Sequence, residues 1–281
     1  MGALGALVAV NINTGKEIWK KHLQKDFKGK KPRWGYSSSP LIDGEMVFVE
    51  AAGKPNRLFI AFNKRNGDVV WKSQQGKGGY SSPIMATIEG IRQVIFFSGE
   101  ALIALNPKNG ELLWEHPWKT SYNVNAATPV FIAPNRVFIS SGYDYGCAVL
   151  EITNQNGKLR AEEVWRNRIM KNHYATSILH NNHLFGFDNS ILKCIDAQSG
   201  EEKWKARGYG KGTLIYADGR FIVLGEKGNL GLIDASTESF REISQFKALK
   251  GKCWTVPTIT DGNLYLRNER KVACYDISGP L

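Results

Sequence analysis

The sequence has few cysteines and no long hydrophobic run. Its four cysteines, Cys147, Cys194, Cys253 and Cys274, lie far apart, and no two of them have the C-x-x-C spacing of a zinc or redox site. No segment approaches the roughly 20 apolar residues that a membrane-spanning helix needs. Residues 1–10 lack the basic start and long apolar stretch of a signal peptide. The sequence therefore favours neither a disulfide scaffold nor a transmembrane segment.

Catalytic and metal-binding motifs are missing as well. The sequence contains no G-x-S-x-G, H-E-x-x-H, P-loop or EF-hand motif. His180 and His183 have the spacing of a metal clip, but they flank an Asn-Asn turn, and we cannot assign the further ligands that zinc needs. No apolar pattern with a helical period runs for the roughly ten residues that a helix requires. We therefore predict an all-β chain without a metal site.

What the sequence does contain is a repeated hairpin. Residues 101–115 form an apolar run, an Asn-Pro-Lys-Asn-Gly turn and a second strand that ends on a tryptophan. The shared pattern is a small residue, then Asn or Asp, then Gly four positions later and Trp four positions after that. Four hairpins have the whole pattern, and their glycine and tryptophan pairs are Gly15 and Trp19, Gly67 and Trp71, Gly110 and Trp114, and Gly200 and Trp204.

The spacing of the hairpins is typical of propeller blades. The Asn or Asp position, with Thr153 in one degraded copy, falls at residues 11, 63, 106, 153, 196, 234 and 276. Periods of about 40 to 50 residues belong to β-propeller blades of four antiparallel strands. We predict five complete blades near 36–72, 80–115, 122–165, 174–205 and 211–244, with two strands in 4–20 and three in 253–277. We expect a single propeller domain over 1–281 that is incomplete at its N terminus and belongs to a seven- or eight-bladed ring. The alternative is a six-bladed ring in which residues 16–20 supply the outer strand of the last blade.

The small-residue position of the repeat also explains two of the cysteines. Cys194 and Cys274 occupy the position that alanine fills in other copies. Cysteine behaves as a compact hydrophobic residue when it is buried. We therefore predict that both side chains are buried and have no metal or disulfide role.

Positive charge is concentrated in one segment. The formal net charge is +11, and residues 20–33, named here the basic segment, contain seven Lys or Arg against one Asp. We interpret the basic segment as a solvated loop between blades, and contact with an anionic surface is the alternative. Nucleic acid is disfavoured as a partner, because only Phe27 and Trp34 lie close enough to the basic residues to stack on bases.

The hairpins resemble the pyrroloquinoline-quinone (PQQ)-like propeller repeat over nearly the whole chain. That family includes quinone-dependent alcohol dehydrogenases and non-enzymatic bacterial propellers of the outer-membrane-assembly type, and this sequence is closer in style to the second group. The resemblance implies that Trp19, Trp71, Trp114 and Trp204 dock between blades, so that they and the four turn glycines are structural. It also implies that the full-length protein is periplasmic or secreted.

The resemblance further implies what a quinone enzyme would need. Such enzymes hold PQQ with a vicinal disulfide of adjacent cysteines and a stacking tryptophan, beside a calcium or lanthanide ion ligated by Glu, Asn and Asp. No two cysteines are adjacent here, and we find no acidic cluster at matching positions. We therefore assign no catalytic residue and expect neither PQQ nor calcium, and a PQQ-dependent dehydrogenase is the alternative function.

A binding site is predicted from the geometry of propellers, in which the residues before the inner strands converge on the mouth of the central channel. In this chain these residues are Tyr36, Tyr80, Tyr122, Asn123, Asn125, His173, Tyr174, Lys211 and Trp254. Such a ring suits a protein or peptide, or a small polar ligand; otherwise its members only close the channel. We predict a monomeric, non-catalytic binding or scaffolding module, and polyanion binding through the basic segment is a third possibility.

Overall fold

The computed structural model describes residues 1–279, and almost all of their regular structure is β-strand. Residues 1–279 contain one short α-helix, α1 (Leu23–Phe27), and one 3-10 turn (Ser121–Asn123). Two compact units are present. The first unit comprises Met1–Ser141 and Leu150–Val164, and the second comprises Gly142–Val149 and the chain from Trp165 onward.

The sheets of the first unit follow the chain order strand by strand. A two-stranded sheet comes first, followed by two four-stranded sheets in which consecutive strands pair. The strands are β1 (Ala6–Val10) and β2 (Glu17–His22); β3 (Leu41–Asp43), β4 (Met46–Gly53), β5 (Arg57–Asn63) and β6 (Val69–Ser73); and β7 (Ile84–Ile88), β8 (Ile91–Phe97), β9 (Ala101–Leu105) and β10 (Leu112–Pro117).

The next sheet also has four strands in chain order, β11 (Val130–Ile132), β12 (Arg136–Ser141), β13 (Gly146–Gln155) and β14 (Lys158–Asn167). The second unit then holds two four-stranded sheets and one of three strands. Their strands are β15 (Ile178–His180), β16 (His183–Asp188), β17 (Ile191–Asp196) and β18 (Glu202–Ala206); β19 (Thr213–Ala217), β20 (Arg220–Leu224), β21 (Asn229–Asp234) and β22 (Glu242–Lys247); and β23 (Thr258–Thr260), β24 (Asn263–Arg267) and β25 (Val272–Asp276).

These sheets confirm the predicted fold class, a β-propeller of four-stranded antiparallel blades. Each of the five predicted windows holds one sheet of four strands, and the windows 4–20 and 253–277 hold two and three strands as predicted. The middle strands carry the core. In β5, for example, Leu58 to Phe62 are all buried, because both faces of the sheet are covered by packed side chains.

Hydrogen bonds inside the turn explain the fixed spacing of the repeat. In the second hairpin the Asn63 Oδ1 atom accepts from the Arg65 N–H at 2.8 Å, and the Gly67 N–H donates to the Asn63 carbonyl at 2.9 Å. Gly67 has a φ of 74°, which a residue with a side chain rarely adopts. The same carbonyl bond closes the turns that begin at Asn11, Asn106 and Asp196. The distance from Asn or Asp to Gly is therefore set by the closure of one turn.

The prediction that both Cys194 and Cys274 are buried is confirmed for Cys194 and wrong for Cys274. Cys194 lies on the middle strand β17 and is buried, as are Cys147 and Cys253, whereas Cys274 is exposed. Cys274 lies on β25, which is the last strand of its three-stranded sheet. Because β25 pairs on one side only among the described residues, its side chains are less covered than those of a middle strand.

Candidate functional site

Two hairpin tryptophans of the first unit, Trp19 and Trp71, pack on the turn of the following hairpin. Trp19 donates its indole N–H to the carbonyl oxygen of Lys64 at 2.9 Å. A Cβ atom added to Gly67 would lie 2.8 Å from the Trp19 indole, and one added to Gly110 would lie 2.7 Å from the Trp71 indole. Since real Cβ contacts are longer than this, the turn glycine is required by the neighbouring indole as well as by its own backbone.

The second unit repeats this arrangement. Trp204 donates to the Ser236 carbonyl at 2.9 Å. Trp165, which the sequence places late in a degraded copy, still donates to the Ala197 carbonyl at 3.1 Å and would lie 2.8 Å from a Cβ atom on Gly200. The indole position is therefore kept although the spacing along the chain is not.

Trp114 and Gly15 depart from this pattern. Trp114 donates to the Gln93 side-chain oxygen at 2.5 Å, within its own sheet. A Cβ atom on Gly15 would have nothing within 4 Å. With these two exceptions, we infer that the repeat tryptophans and glycines have a structural role between successive hairpins.

The basic segment is not a plain loop, because part of it is strand and helix, although its Lys and Arg side chains are exposed or half-buried. It begins on β2 and continues into α1, where Leu23 and Phe27, four residues apart, are buried on one helix face. Beyond the helix the Lys30 N–H donates to the Ala52 carbonyl at 3.0 Å. These contacts fix the end of the segment to the end of β4.

A pocket of about 220 Å³ lies at this junction in the first unit. Three stretches of chain line it: the end of the basic segment, the turn after β4, and the connection from β6 to β7, together with the 3-10 turn. We name it the cationic pocket. Its lining residues are Lys30, Lys31, Pro32, Arg33, Ala52, Lys54, Gly76, Lys77, Gly78, Tyr80, Tyr122 and Asn123.

Aromatic rings hold the arginine of the cationic pocket in place. The Arg33 guanidinium lies 5.2 Å from the ring centre of Trp34 and 5.3 Å from that of Tyr122, within the range of cation–π attraction. The Trp34 and Tyr80 ring centres are 5.7 Å apart. Arg33 is therefore held at the rim by two rings at once.

A buried carboxyl group lies behind the cationic pocket. Glu50 on β4 accepts a 3.0 Å hydrogen bond from the N–H of Gly79. Burial raises the pKa of Glu50 to about 8, although the hydrogen bond acts in the opposite direction. Burial and the nearby Glu50 charge together raise the pKa of Tyr36 to about 12. Glu50 is therefore mostly uncharged at neutral pH and does not cancel the charge of the pocket.

The predicted site residues of the first unit fall into two groups. Tyr80, Tyr122 and Asn123 line the cationic pocket. Tyr36 is buried in the core, and its hydroxyl donates to the Ala51 carbonyl at 3.1 Å.

Asn125 is also fully buried. Its amide donates to the Ser98 carbonyl at 2.7 Å, and its side-chain oxygen accepts from the Ser141 hydroxyl at 2.8 Å. In the structure Tyr36 and Asn125 therefore make internal hydrogen bonds and offer no surface to a ligand.

In the second unit, the predicted residues His173, Tyr174 and Trp254 contact one another. The Tyr174 and Trp254 rings stack with centres 4.7 Å apart, and His173 lies 5.9 Å from Tyr174. The Tyr174 hydroxyl donates to the carbonyl of Lys211, and the Trp254 indole N–H donates to Glu226 at 3.1 Å. We name these five residues the histidine cluster.

The two charged residues of this cluster act in opposite directions on the pKa of its histidine. Burial, followed by the Lys211 charge, lowers the pKa of His173, whereas Glu226 acts to raise it. Burial, followed by the Glu226 charge, raises the pKa of Tyr174. The buried Nδ1 atom of His173 has no hydrogen-bond partner among residues 1–279. The cluster therefore favours a neutral imidazole next to a carboxylate.

Five residues of the two sites were not assigned to a site from the sequence: Arg33, Trp34, Lys54 and Lys77 at the cationic pocket and Glu226 in the histidine cluster. Arg33 and Trp34 lie in or beside the basic segment, and that signal was noticed without a structural position. Lys54 and Lys77 lie in connections between strands, where single lysines are ordinary surface residues. No pattern along the chain shows that these residues share a pocket.

The described residues do not fit the quinone and calcium site that the resemblance implies for the dehydrogenases. In the part of the chain from 1 to 279, no group of three or more His, Cys, Asp or Glu side chains is placed to hold a metal ion. The four cysteines are free, and no two are adjacent in the chain. We therefore assign no residue to PQQ or calcium. In the same residues, no helix is long and apolar enough to cross a membrane.

Comparison with known proteins identifies the family. The family model described as outer membrane protein assembly factor BamB matches residues 2–206. The chain belongs to this family. Among solved structures, the BamB family member from Moraxella catarrhalis matches 96% of this chain and 76% of its own chain, with a TM-score of 0.70 and 15% identity. At this identity the similarity shows the fold alone.

Two further matches extend the comparison beyond the BamB family. The computationally designed protein Ika8 matches 98% of this chain and 91% of its own, with a TM-score of 0.53 and 12% identity. The quinoprotein alcohol dehydrogenase PedH of Pseudomonas putida is 33% identical over 96 residues, which are 34% of this chain and 14% of the enzyme. The chain therefore spans about a seventh of that dehydrogenase.

Proposed function

We propose that this chain is a non-catalytic propeller module that binds a partner protein during outer-membrane assembly, in the bacterial periplasm. The observation that carries this proposal is the cationic pocket, because its lining consists of cations, aromatic rings and backbone suited to recognition. Membership of the BamB family supports the assembly role. The organisation as one domain over 1–281 and as a monomer remains a prediction.

Quinone-dependent alcohol oxidation is not favoured by any feature of the two sites. The similarity to PedH covers a third of the chain, and the residues do not fit PQQ or calcium. Polyanion binding through the basic segment remains an alternative, because Leu23 and Phe27 are buried but Lys20, Lys25 and Lys28 are exposed. Only its end reaches the cationic pocket.

Site-specific photo-crosslinking in the bacterial envelope tests the proposal. A photoreactive phenylalanine analogue replaces Tyr122, which is 61% exposed at the pocket, and a control replaces Tyr216 on β19, which is 40% exposed. We expect a crosslink to one defined protein from position 122 and none from position 216.

The purified protein supplies the complementary measurement. It is incubated with PQQ and calcium and assayed for dye-linked alcohol oxidation. We expect no activity above the protein-free mixture. Saturable oxidation that depends on the protein would show an enzyme and would overturn the non-catalytic proposal.

A further inference from the structure

Five cationic side chains converge on the cationic pocket from separate parts of the first unit. Lys30, Lys31 and Arg33 come from the basic segment, Lys54 comes from the turn after β4, and Lys77 comes from the connection after β6. The lining contains no Asp or Glu. Like charges repel in the absence of an anion, so this convergence raises the local positive potential and favours an anionic ligand.

One lysine of the pocket already forms an ion pair with a carboxylate at the edge of the pocket. Glu100 forms an ion pair with Lys77 at 3.3 Å. Among residues 1–279, the ion pairs of the structure do not include Lys30, Arg33 or Lys54. The pocket therefore has cations that are not paired with the one carboxylate at its edge.

The position of Arg33 favours a carboxylate over a point-like anion. A guanidinium presents a planar fork of N–H donors that matches the two oxygens of a carboxylate. The contacts with Trp34 and Tyr122 hold the guanidinium 5.2 and 5.3 Å from the two ring centres, so they reduce the freedom that the side chain would lose on binding. The Arg33 guanidinium forms no ion pair or hydrogen bond with residues 1–279, so its N–H groups can bind a ligand.

The same contacts argue against nucleic acid. Binders of single strands offer open aromatic faces on which bases stack. Here Arg33 lies against both the Trp34 and the Tyr122 ring, which are 54% and 61% exposed, and Tyr80 is buried under Trp34. A pocket of about 220 Å³ has room for one or two side chains.

We propose that the cationic pocket binds an acidic peptide segment of the partner protein, with Arg33 and Lys54 contacting the carboxylates of its Asp or Glu side chains. This inference rests on the proposed function only in assigning the segment to a partner. Its chemistry can be tested on the purified protein alone.

The test measures fluorescence anisotropy with a labelled peptide of alternating glutamate and glycine, beside the same peptide with glutamine. We expect the glutamate peptide to bind and the glutamine peptide not to bind. Arg33→Gln and Lys54→Gln should each weaken binding about three- to tenfold, since each removes a charge-assisted contact. Lys72→Gln, an exposed lysine of the same unit on β6, is the matched control and should leave binding unchanged. Binding should also weaken as salt is added.

Two results would overturn this inference. One is equal peptide binding by the wild-type protein, Arg33→Gln and Lys54→Gln. The other is tighter binding to vesicles with anionic lipid or to a single-stranded oligonucleotide, lost in the same two variants, which would assign the pocket to that ligand. Circular dichroism and thermal melting confirm that the exposed substitutions leave the fold intact.

The two proposals fail separately. If the crosslink from position 122 forms but the glutamate peptide does not bind, the partner-binding function stands and the acidic ligand is wrong. If the peptide binds with the expected variant pattern but no crosslink forms, the pocket chemistry stands and the assembly role is wrong.

Discussion

The cationic pocket of the first unit and the histidine cluster of the second are both built from aromatic residues near the starts of blades, yet their charges differ. The pocket gathers five cations, and its nearest buried carboxyl, Glu50, is mostly uncharged at neutral pH. In the histidine cluster a carboxylate, Glu226, accepts the Trp254 indole N–H, and the imidazole is biased towards its neutral form. Residues at equivalent places in the repeat can thus serve opposite electrostatic purposes.

The largest expected effect is at Glu50. If this carboxyl were charged at neutral pH, the cationic pocket would have a carboxylate beside it, as the histidine cluster has Glu226. A free glutamate ionises near pH 4.5, whereas folding raises the pKa of Glu50 to about 8. The unfolded chain therefore releases this proton first, and the stability that the proton gives the fold is present below pH 4.5 and is lost by pH 8. Glu50→Gln keeps an oxygen for the Gly79 N–H and has no proton to lose. The variant should match the wild type at pH 4 and exceed its free energy of unfolding by roughly 4 kcal/mol at pH 8.5.

Denaturant unfolding at both pH values measures this difference. Glu226→Gln, studied in parallel, separates the change at Glu50 from the general loss of one carboxylate. A stability gap between Glu50→Gln and the wild type that is the same at pH 4 and pH 8.5 would contradict the prediction.

An intermediate effect is expected at Gly29, on which the shape of the cationic pocket depends. A Cβ atom there would lie 2.4 Å from the Ala51 carbonyl oxygen, so Gly29→Ala should displace the basic segment. We expect a loss of about 2 kcal/mol in the free energy of unfolding, together with loss of glutamate-peptide binding. The histidine cluster lies in the other unit, and its titration should not change.

Gly2→Ala is the matched control for Gly29→Ala. A Cβ atom at Gly2 would meet the Ala6 carbonyl oxygen at an ordinary 3.8 Å. Denaturant unfolding of both variants should show a clear loss only for Gly29→Ala. Equal stability of the two variants would show that the segment docks without requiring a glycine.

The smallest expected effect concerns the pKa of His173 in the histidine cluster of the second unit. The Glu226 charge raises the pKa of His173 against burial and Lys211. Glu226→Gln removes the group that favours the imidazolium, so the pKa of His173 should fall further. A proton NMR titration of the histidines measures the shift, and Glu238→Gln, an exposed glutamate of the same unit, is the control. An upward shift in Glu226→Gln would contradict the assigned role of Glu226.

The fold was predictable from the sequence because each hairpin turn is determined by residues within a few positions of one another. The Asn63 side chain accepts a hydrogen bond within its own turn. Gly67 adopts a positive φ and lies against the Trp19 indole. These two requirements fix the spacing of Asn and Gly in each copy of the hairpin. The small helix could have been anticipated too, since Leu23 and Phe27 are apolar and four residues apart. The pair lies in a segment rich in lysine and is too short to show a sustained helical pattern.

The candidate site was less predictable because it depends on contacts between distant segments. Lys54 and Lys77 approach Arg33 only after the sheets of the first unit have packed. The predicted site residues all lie just before the first strand of a blade, but this position does not predict whether a side chain is buried. Tyr36 and Asn125 are buried, whereas Tyr122 is exposed. Nearness to a blade mouth therefore narrows the choice of residues without selecting them.

The docking of a repeat tryptophan on the turn of the next hairpin limits how far the effect of a substitution can spread. Trp19 touches the turn at Gly67, and Trp71 touches the turn at Gly110, so each hairpin is coupled to one successor. Such nearest-neighbour coupling is typical of repeat architectures, whose stability is close to a sum of local terms. A lesion at one indole should loosen two adjacent sheets and leave more distant ones intact, which gives evolution freedom to vary one blade at a time.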